Sequence, residues 1–249
     1  MTISAIVLAG RSNDGAFREA YAEEAEALIP LRGRPLIAPI LDALAGVDGL
    51  LSVTVVAPPA VEEAIRAWGA LRVDPGDSLT GSIRQGLAGA AHSERVLFVA
   101  GDAPLVTTAT INAFLSACAS MTGQFFYPIV TKECYEERFP DSHRTWVRLK
   151  DGTFTGGNMF LVDRDVVEPG LAVVDRLYAA RKNPLRMLQI IRPALILKLL
   201  LGRVAVQELE EQVSRLVGAR GRAVVLAHPE IALDVDRPED IAYVEGLPL

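Results

Sequence analysis

Short apolar runs alternate with amphipathic segments along the first half of the chain. The runs at residues 3–9, 51–57 and 96–100 are almost continuously apolar, which is typical of strands buried on both faces of a parallel sheet. Between them, residues 35–44 and 60–68 carry apolar side chains at helical spacing, and Pro35 stands near the predicted start of the first helix. This alternation predicts right-handed βαβ units, with helices on both faces of a mostly parallel, Rossmann-like α/β sheet.

The pattern changes in the second half of the chain. Residues 125–130, 146–149 and 159–162 predict strands, and Lys150-Asp151-Gly152 predicts a hairpin turn, so we expect antiparallel strands beside the parallel sheet. Strand character returns at residues 224–226 and 231–235. Pro238-Glu239-Asp240 then begins a last short helix, with acidic residues in its first turn.

Residues 166–216 are mainly helical in pattern, and we call this predicted insertion the helical lobe. Breaks are expected at Pro169-Gly170, Asn183-Pro184 and Gly202. Basic residues stand among many leucines and isoleucines: Arg181, Lys182, Arg186, Arg192, Lys198 and Arg203. Such a segment could cover a site, pair two copies of the chain as a homodimer or lie on a membrane surface. We favour helices packed on a single domain of residues 1–249, with their basic residues directed to solvent.

Composition narrows the function classes. The chain has 249 residues, half of them hydrophobic, and a net charge of −6, so it lacks the broad basic surface that a nucleic-acid partner requires. Two cysteines, Cys118 and Cys134, are too few for a disulfide framework, which favours a reducing compartment, the cytoplasm. No basic segment precedes the first apolar run, so it is not a signal peptide. The apolar stretch 185–201 contains three basic residues and a proline, which argues against a transmembrane helix.

The loop after the first strand is the first candidate site. Residues 10–15 are small or hydrogen-bonding, so their backbone N–H groups could form an anion-binding nest. The alternative is an ordinary polar loop. The sequence matches neither the glycine pattern of dinucleotide-binding folds nor the Walker pattern, so those two classes are disfavoured.

Carboxylates follow two further predicted strands. Asp102 comes directly after the strand at 96–100, with Gly101 and Pro104 on either side of it, and Asp234 and Asp236 flank Val235 in an extended stretch. Mg²⁺ is commonly held by one or two carboxylates together with water and phosphate oxygens. The alternatives are a helix cap for Asp102, which Thr107 or Thr108 could equally provide, and a solvated strand end for the other two.

Five segments occur in order along the chain and carry a resemblance. They are Ile6-Val7-Leu8-Ala9-Gly10, residues 27–37 (ALIPLRGRPLI), Gly101-Asp102-Ala103-Pro104-Leu105, Thr155-Gly156-Gly157-Asn158, and residues 234–240 (DVDRPED). Together they resemble the MobA-like NTP transferases, nucleotidyltransferases similar to molybdenum-cofactor guanylyltransferase and to cytidylyl- and uridylyltransferases of sugar and polyol phosphates. The resemblance covers nearly the whole chain outside the helical lobe.

The resemblance implies a GT-A-like form of the fold and assigns roles residue by residue. It implies nucleotide binding at these positions: Leu8, Ala9, Gly10, Arg11, Ser12, Asn13, Ser78, Ser82, Gly101 and Asp102. It implies Mg²⁺ binding by Asp102 and Asp236, with Asp234 in reserve, and an acceptor side at Gly156, Gly157 and Asn158. The implied reaction joins the NMP part of an NTP to a phosphorylated small molecule and releases pyrophosphate.

Two positions depart from the family pattern. Arg11 stands where a second glycine is usual, and Glu26 stands where a phosphate-binding lysine is usual. Arg11, which we place with Asp102 and Asp236 in the catalytic set, could supply the missing charge, and so could Arg18, Arg32 or Arg34. If none does, the protein would bind nucleotide without turnover. A glycosyltransferase that uses a nucleotide-sugar is another alternative, since Asp102 would serve its metal in the same way.

Two expectations depend on how the chain folds. Arg144 precedes a predicted strand and could bind the acceptor's phosphate, or it could be an exposed loop arginine. Asp102 and Asp236 should lie within about 10 Å of each other, close enough to share one Mg²⁺.

The sequence gives no sign of acyl-transfer chemistry. His92, His143 and His228 are dispersed along the chain, and no serine lies in a nucleophile-elbow pattern.

Overall fold

A nine-stranded mixed sheet forms the centre of the computed structural model, which describes residues 1–180 and 193–248. The strands in the described residues are, in chain order, β1 (Ile3–Leu8), β2 (Pro30–Leu31), β3 (Arg34–Pro35), β4 (Leu50–Val56), β5 (Leu71–Val73), β6 (Arg95–Ala100), β7 (Phe125–Thr131), β8 (Val147–Leu149), β9 (Gly152–Gly156), β10 (Met159–Asp163) and β11 (Gly221–Val225). β2 and β3 form a separate antiparallel ribbon.

One half of the sheet is parallel, in the order β5-β4-β1-β6. Its central strands are buried on both faces: Ile6 and Val7 of β1 point to opposite faces, and both are inaccessible to solvent. Both faces need apolar side chains in such strands, which explains why the sequence pattern predicts them well.

The other half is largely antiparallel, as the sequence predicts. β10 lies antiparallel between β6 and β7, and β9 continues along the same side of β7. β8 and β9 form the predicted hairpin, whose turn ends at Gly152 with φ +144. β11 adds to the far side of β7 in parallel.

Helices cover both faces of the sheet. They are α1 (Ala38–Ala45), α2 (Glu62–Ile65), α3 (Leu79–Gly89), α4 (Thr108–Ala119), α5 (Lys132–Arg138), α6 (Arg164–Ala180), α7 (Pro193–Leu200), α8 (Val206–Val217) and α9 (Pro238–Gly246). Helices α1, α4, α5 and α9 pack on one face over one large apolar cluster. Helices α3, α6 and α8 lie on the other face, where the buried apolar residues form two separate clusters.

Three predictions about the elements are wrong. The first helix begins at Ala38, with Pro39 in its first turn, because Pro35 belongs to β3. The predicted break at Pro169-Gly170 is absent, because α6 continues through both residues. The proline removes one helical hydrogen bond, but the buried side chains of Val166, Val167 and Leu171 hold the helix against the sheet. Residues 231–235 form no strand: Pro229–Ala232 is a single 3₁₀ turn, and its apolar residues fill the core from a loop.

The helical lobe is described in part. The predicted break at Gly202 is confirmed, because α7 ends at Leu200 and Gly202 adopts φ +62. The predicted break at Asn183-Pro184 lies outside the described residues. No helix within residues 1–180 and 193–248 has the length and apolar character needed to cross a membrane.

Candidate functional site

The carboxyl ends of β1 and β6 lie side by side. The Gly101 N–H donates to the Leu8 carbonyl at 2.9 Å, so the loops that follow the two strands begin at the same edge of the sheet. The Val235 N–H donates to the Asp102 carbonyl at 2.8 Å, which brings the distant C-terminal segment to this edge. Val235 is fully buried, and the aspartates on either side of it are accessible. Asp102, Asp234 and Asp236 therefore meet through backbone contacts.

One guanidinium lies among three carboxylates at this edge. Arg11 Nη1 is 2.8 Å from Asp236 Oδ1, 3.8 Å from Asp102 Oδ2 and 3.7 Å from Glu26 Oε2. Because the Asp102 and Asp236 oxygens both lie within 4 Å of the same nitrogen, the two carboxylates are within the separation that the sequence analysis predicts. We call Arg11, Glu26, Asp102 and Asp236 the arginine-carboxylate cluster.

The electrostatics of this cluster favour an added cation. Burial, together with the charges of Asp234 and Asp236, raises the pKa of Asp102 to about 6 against the opposing effect of Arg11. Burial also raises the pKa of Glu26 and of Asp234. Three carboxylates of the cluster face one guanidinium, so the cluster has excess negative charge that a divalent ion would stabilise.

The donor set fits Mg²⁺ better than a metal that needs a complete protein cage. Within the described residues, no three His, Cys, Asp or Glu side chains converge on one point as ligands for a metal ion. Asp102 and Asp236 offer two hard oxygen ligands, and Mg²⁺ typically takes its remaining ligands from water and substrate phosphates. Asp102 is also free for this role, since Thr107 caps α4 by accepting from the Thr110 N–H at 3.2 Å.

Asp234 pairs with Arg144 beside the arginine-carboxylate cluster. The two side chains form a short ion pair, and Arg144 Nη2 donates to the Gly156 carbonyl at 3.0 Å. Arg144 Nε also donates to Thr155 Oγ1 at 3.3 Å, and only 13% of the Arg144 side chain is exposed. Arg144 is therefore not an exposed loop arginine, and its pairing places Asp234 beside the predicted acceptor segment.

The first loop lies against the start of α3. A Cβ on Gly10 would lie 2.9 Å from Pro75 Cβ and 3.9 Å from Ser82 Oγ, so glycine is what allows this approach. In the described part of the chain, the N–H groups of Gly10, Arg11 and Ser12 donate to no protein acceptor. They remain available to an anion, while Leu8 and Ala9 anchor the loop to the strand.

The side chain of Asn13 points into the protein and not toward a nucleotide, as its predicted binding role would require. Its side chain is buried, and Nδ2 donates to the carbonyls of Tyr21 and Glu23 at 3.0 and 2.9 Å. These bonds close the loop on itself. Asn13 therefore shapes the loop, and its amide does not face the cluster.

Ser78 and Ser82 both organise the turn that leads into α3. Ser78 Oγ caps the helix by accepting from the Gly81 N–H at 3.0 Å, and Ser82 Oγ accepts from the Gly76 N–H at 3.1 Å. The N-terminus of α3 consequently lies beside Gly10, where its partial positive charge would favour a bound phosphate.

The predicted acceptor segment lies on the other side of Asp102. The Asn158 N–H donates to the Ile231 carbonyl and its carbonyl accepts from the Ala100 N–H, both at 2.8 Å. Asn158 Nδ2 is buried without a partner in the described residues. Gly157 lies against Pro128 and Ile231, and a Cβ on Gly156 would overlap the Tyr127 hydroxyl. Tyr127 thus lies against the predicted acceptor segment, and the sequence gives no signal of this, because an aromatic residue within an apolar strand is ordinary.

Two of the other candidate phosphate-binding arginines, Arg32 and Arg34, are used elsewhere. Arg32 Nη2 donates to the carbonyls of Val244 and Leu247, each at 2.7 Å, and Arg34 pairs with Asp42 at 2.7 Å. Arg18 forms none of the ion pairs in the described residues. Arg11 is thus the arginine that the fold directs to the carboxylates.

A sequence model of the MobA-like NTP transferase domain matches residues 5–231. The chain belongs to this family. The MobA-like NTP transferase is 37% identical to a hypothetical transferase from Thermus thermophilus, with a TM-score of 0.82, 97% of this chain covered and 100% of that one.

Two more distant structures share the fold of this MobA-like NTP transferase. A CMP:2-keto-3-deoxy-manno-octonic acid synthetase complexed with CTP has 15% identity and a TM-score of 0.62, over 98% of this chain and 97% of that one. A nucleotidyl transferase from Methanothermobacter thermautotrophicus has 18% identity and a TM-score of 0.58, over 98% and 96% of the two chains. No curated protein sequence matches the chain.

Proposed function

We propose that this nucleotidyltransferase is Mg²⁺-dependent and transfers the NMP part of an NTP to a phosphorylated small molecule, with release of pyrophosphate. The observation that carries the proposal is the meeting of Asp102 and Asp236 with Arg11 at the carboxyl edge of the sheet. Membership of the family supports the transfer reaction, and the residues of this edge suit its charge requirements.

The NTP phosphates would lie on the first loop. The free N–H groups of Gly10, Arg11 and Ser12 and the N-terminus of α3 lie together there, and both favour an anion. Ser78 and Ser82 hold this edge in shape. The Arg11 guanidinium can bind phosphate oxygens in a bidentate fork, which a lysine cannot do.

Asp102 and Asp236 are the residues that would hold Mg²⁺. When bound, the ion supplies neutralisation of the phosphate oxygens and fixes their position. The protein then has little covalent chemistry to perform. An oxygen of the acceptor phosphate, already ionised at neutral pH, attacks the α-phosphorus, and the bond from that phosphorus to the pyrophosphate oxygen breaks. No general base is required, so the main work of the chain is positioning and charge stabilisation.

The acceptor would bind between Arg144 and Asn158. Arg144 is fixed by Asp234, Thr155 and Gly156 and can pair with the acceptor's phosphate. The buried, unpartnered Nδ2 of Asn158 is a donor that a ligand oxygen would satisfy.

We also infer a cytoplasmic location from Cys118 and Cys134, which are both free thiols in the structure.

A pyrophosphate-release screen tests the proposed reaction. The four NTPs would each be combined with sugar, polyol and pterin phosphates in the presence of Mg²⁺, and one combination should release pyrophosphate in proportion to nucleotidylated acceptor. Turnover of a nucleotide-sugar without pyrophosphate would instead indicate a glycosyltransferase. Tight NTP binding without turnover against every acceptor would indicate a non-catalytic nucleotide-binding protein.

A further inference from the structure

Two polar contacts join helix α6, the first helix of the helical lobe, to helix α3. Thr80, in the first turn of α3, is buried, and its Oγ1 donates to Asp175 Oδ1 at 2.7 Å. One turn further along α3, Arg84 Nη2 pairs with Glu168 Oε1 at 2.9 Å and lies 3.6 Å from Asp175 Oδ2. Of the two acidic residues of α6, Asp175 is the one that reaches the start of α3, which borders the proposed nucleotide site.

The contact with Asp175 fixes the direction of two hydroxyl protons. A hydroxyl group has one proton to donate, and an ionised carboxylate only accepts. Thr80 gives its proton to Asp175, so in the 3.0 Å hydrogen bond between Ser78 Oγ and Thr80 Oγ1 the donor must be Ser78. Ser78 Oγ also accepts from the Gly81 N–H at 3.0 Å. Ser78 is therefore left with one lone pair and no free proton. We call Ser78, Thr80 and Asp175 the hydroxyl relay.

The state of Ser78 restricts the part of a nucleotide that it can bind. Ser78 is exposed at the end of α3 that lies against the first loop, where Gly10 approaches Ser82. Its remaining lone pair can accept a hydrogen bond, and its proton is not available to a ligand. Phosphate oxygens at neutral pH are acceptors, whereas the hydroxyl and N–H groups of a nucleoside are donors. The Ser78 side chain therefore suits the nucleoside, and the backbone N–H groups nearby remain for the phosphates.

We propose that Asp175 is a positioning residue of the nucleotide site, which makes Ser78 an acceptor for a hydroxyl or N–H group of the nucleoside. This inference rests on the proposed function, because it takes Ser78 to contact the nucleotide. Without an acceptor at position 175, the Thr80 proton would turn toward Ser78, and Ser78 could donate as readily as accept. The relay thus gives helix α6, which lies outside the five resembling segments, a role in nucleotide recognition.

The first test is calorimetric binding of ATP, CTP, GTP and UTP, each with Mg²⁺, to the full chain. Asp175→Leu removes the acceptor and should weaken binding of the tightest NTP by about three- to tenfold, the usual effect of one hydrogen bond. Asp175→Asn keeps an oxygen for Thr80 and should bind that NTP within about twofold of the wild-type affinity. Glu168→Leu is the matched control, because it removes the other polar contact between the two helices and leaves the relay intact.

The second test separates positioning from a merely structural role. Three analogues of the tightest NTP each lack one donor: the 2′-deoxy form, the 3′-deoxy form, and a form whose base N–H groups are methylated. One of them should bind the wild-type protein about five- to tenfold more weakly than the NTP, which identifies the donor. This penalty should shrink by about threefold or more in Asp175→Leu and persist in Asp175→Asn and Glu168→Leu. A purely structural change would weaken the NTP and its analogues equally.

Several results would overturn the proposal. They are an equal loss of affinity in Asp175→Leu and Asp175→Asn, an analogue penalty that is unchanged in Asp175→Leu, and the absence of any analogue penalty in the wild-type protein. If Asp175→Leu does not fold, Thr80→Val breaks the relay from its other end. It should then show the same losses, and Thr80→Ser, which keeps the hydroxyl, should restore both the affinity and the penalty.

Failure of this inference can be told apart from failure of the proposed function. Pyrophosphate release by the wild-type protein, with NTP and analogue affinities unchanged in Asp175→Leu, would leave the function intact and refute the role of Asp175. An analogue penalty that depends on the relay, without pyrophosphate release from any NTP, would support the role of Asp175 and refute the transfer reaction. Failure of all four NTPs to bind the wild-type protein would refute both.

Discussion

Arg11 and Glu26 are the two positions that depart from the family pattern, and they lie 3.7 Å apart. A carboxylate replaces the expected lysine, and an arginine from the neighbouring loop takes up the position beside it. We interpret the two departures as one structural change, in which Arg11 supplies the positive charge that a lysine at position 26 would otherwise supply. Arg11 has a raised pKa, chiefly through its hydrogen bond to Asp236, and stays charged at any working pH.

Exchanging these two charges tests that interpretation. Arg11→Ala should lower NTP affinity by about 10- to 100-fold, since hydrogen bonds to charged groups contribute about 1.5–3 kcal/mol. Adding Glu26→Lys to Arg11→Ala should restore most of the affinity, measured by isothermal titration with Mg²⁺ and NTP. Arg34→Ala is the matched control, because Arg34 pairs with Asp42 and should leave affinity unchanged. A double variant no better than Arg11→Ala would show that the two positions do not compensate.

Asp102 should reduce stability at neutral pH when no divalent cation is present. Its folded-state pKa of about 6 lies above the ordinary value of 3.8, so the folded protein holds a proton that the unfolded chain has already released. The cost is absent well below the ordinary value and complete above pH 6. Asp102→Asn should accordingly raise the free energy of unfolding by about 2–3 kcal/mol at pH 7.5 and by almost nothing at pH 3.5. Urea unfolding at both pH values, in EDTA, checks this, and an unchanged or lower stability at pH 7.5 would contradict it.

Single residues were predictable from sequence where their position follows from a strand. Asp102 could be placed because it follows β6 at the carboxyl edge of the parallel strands. Asp236 lies at the same edge for another reason: the predicted strand before it is a loop, and the backbone hydrogen bond from Val235 to Asp102 brings it there. Asn13 could not, since its inward amide depends on the conformation of residues 21–23. Arg32 likewise carries no sequence signal for its contact with the last helix.

At the scale of elements, Arg32 joins the turn between β2 and β3 to α9. The residue adopts φ +52, its N–H donates to Glu245 Oε1 at 2.9 Å, and its guanidinium binds the carbonyls at the end of the helix. Helix C-termini leave carbonyls without partners, and a cation there satisfies them. The element that begins beside Asp236 is therefore tied down at its other end by Arg32.

Removing this contact should affect stability but not binding. Arg32→Ala should lower the free energy of unfolding by about 1.5–3 kcal/mol, because charged hydrogen bonds to partly buried carbonyls are lost. NTP affinity should stay within twofold of the wild-type value, since Arg32 does not contact the cluster. Chemical unfolding gives the free energy of unfolding, and calorimetric titration of the same preparation gives the NTP affinity. A large loss of affinity with unchanged stability would return Arg32 to the list of phosphate ligands.

Elements were predictable where burial on both faces imposes a continuous apolar pattern. β1 and β6 satisfy that condition, and their bounds differ from the predicted ones by at most one residue at each end. β4 is predicted equally closely, although its first half is only partly buried. β5 and α5 were missed because the first has three residues and the second is largely charged. The apolar residues at 231–235 are buried although they lie in a 3₁₀ turn and a loop. An apolar pattern alone does not distinguish a buried loop from a strand.

At the scale of the whole molecule, the sheet topology sets the position of the reaction centre. The hydrogen bond from Val235 to Asp102 links the end of the chain to its middle, and the parallel pairing of β1 with β6 links the middle to the beginning. These contacts bring together three of the five resembling segments, residues 6–10, 101–105 and 234–240.

The most direct test of the central claim is pyrophosphate release by carboxylate variants, with the NTP and acceptor that the screen identifies. Release by the wild-type protein should require Mg²⁺ and stop in EDTA, and Asp102→Asn and Asp236→Asn should each reduce it at least 100-fold while remaining folded. Asp48→Asn, which alters an exposed carboxylate in the turn before β4, should release pyrophosphate at the wild-type rate. Full activity in either cluster variant, or equal release with Mg²⁺ and in EDTA, would contradict the account.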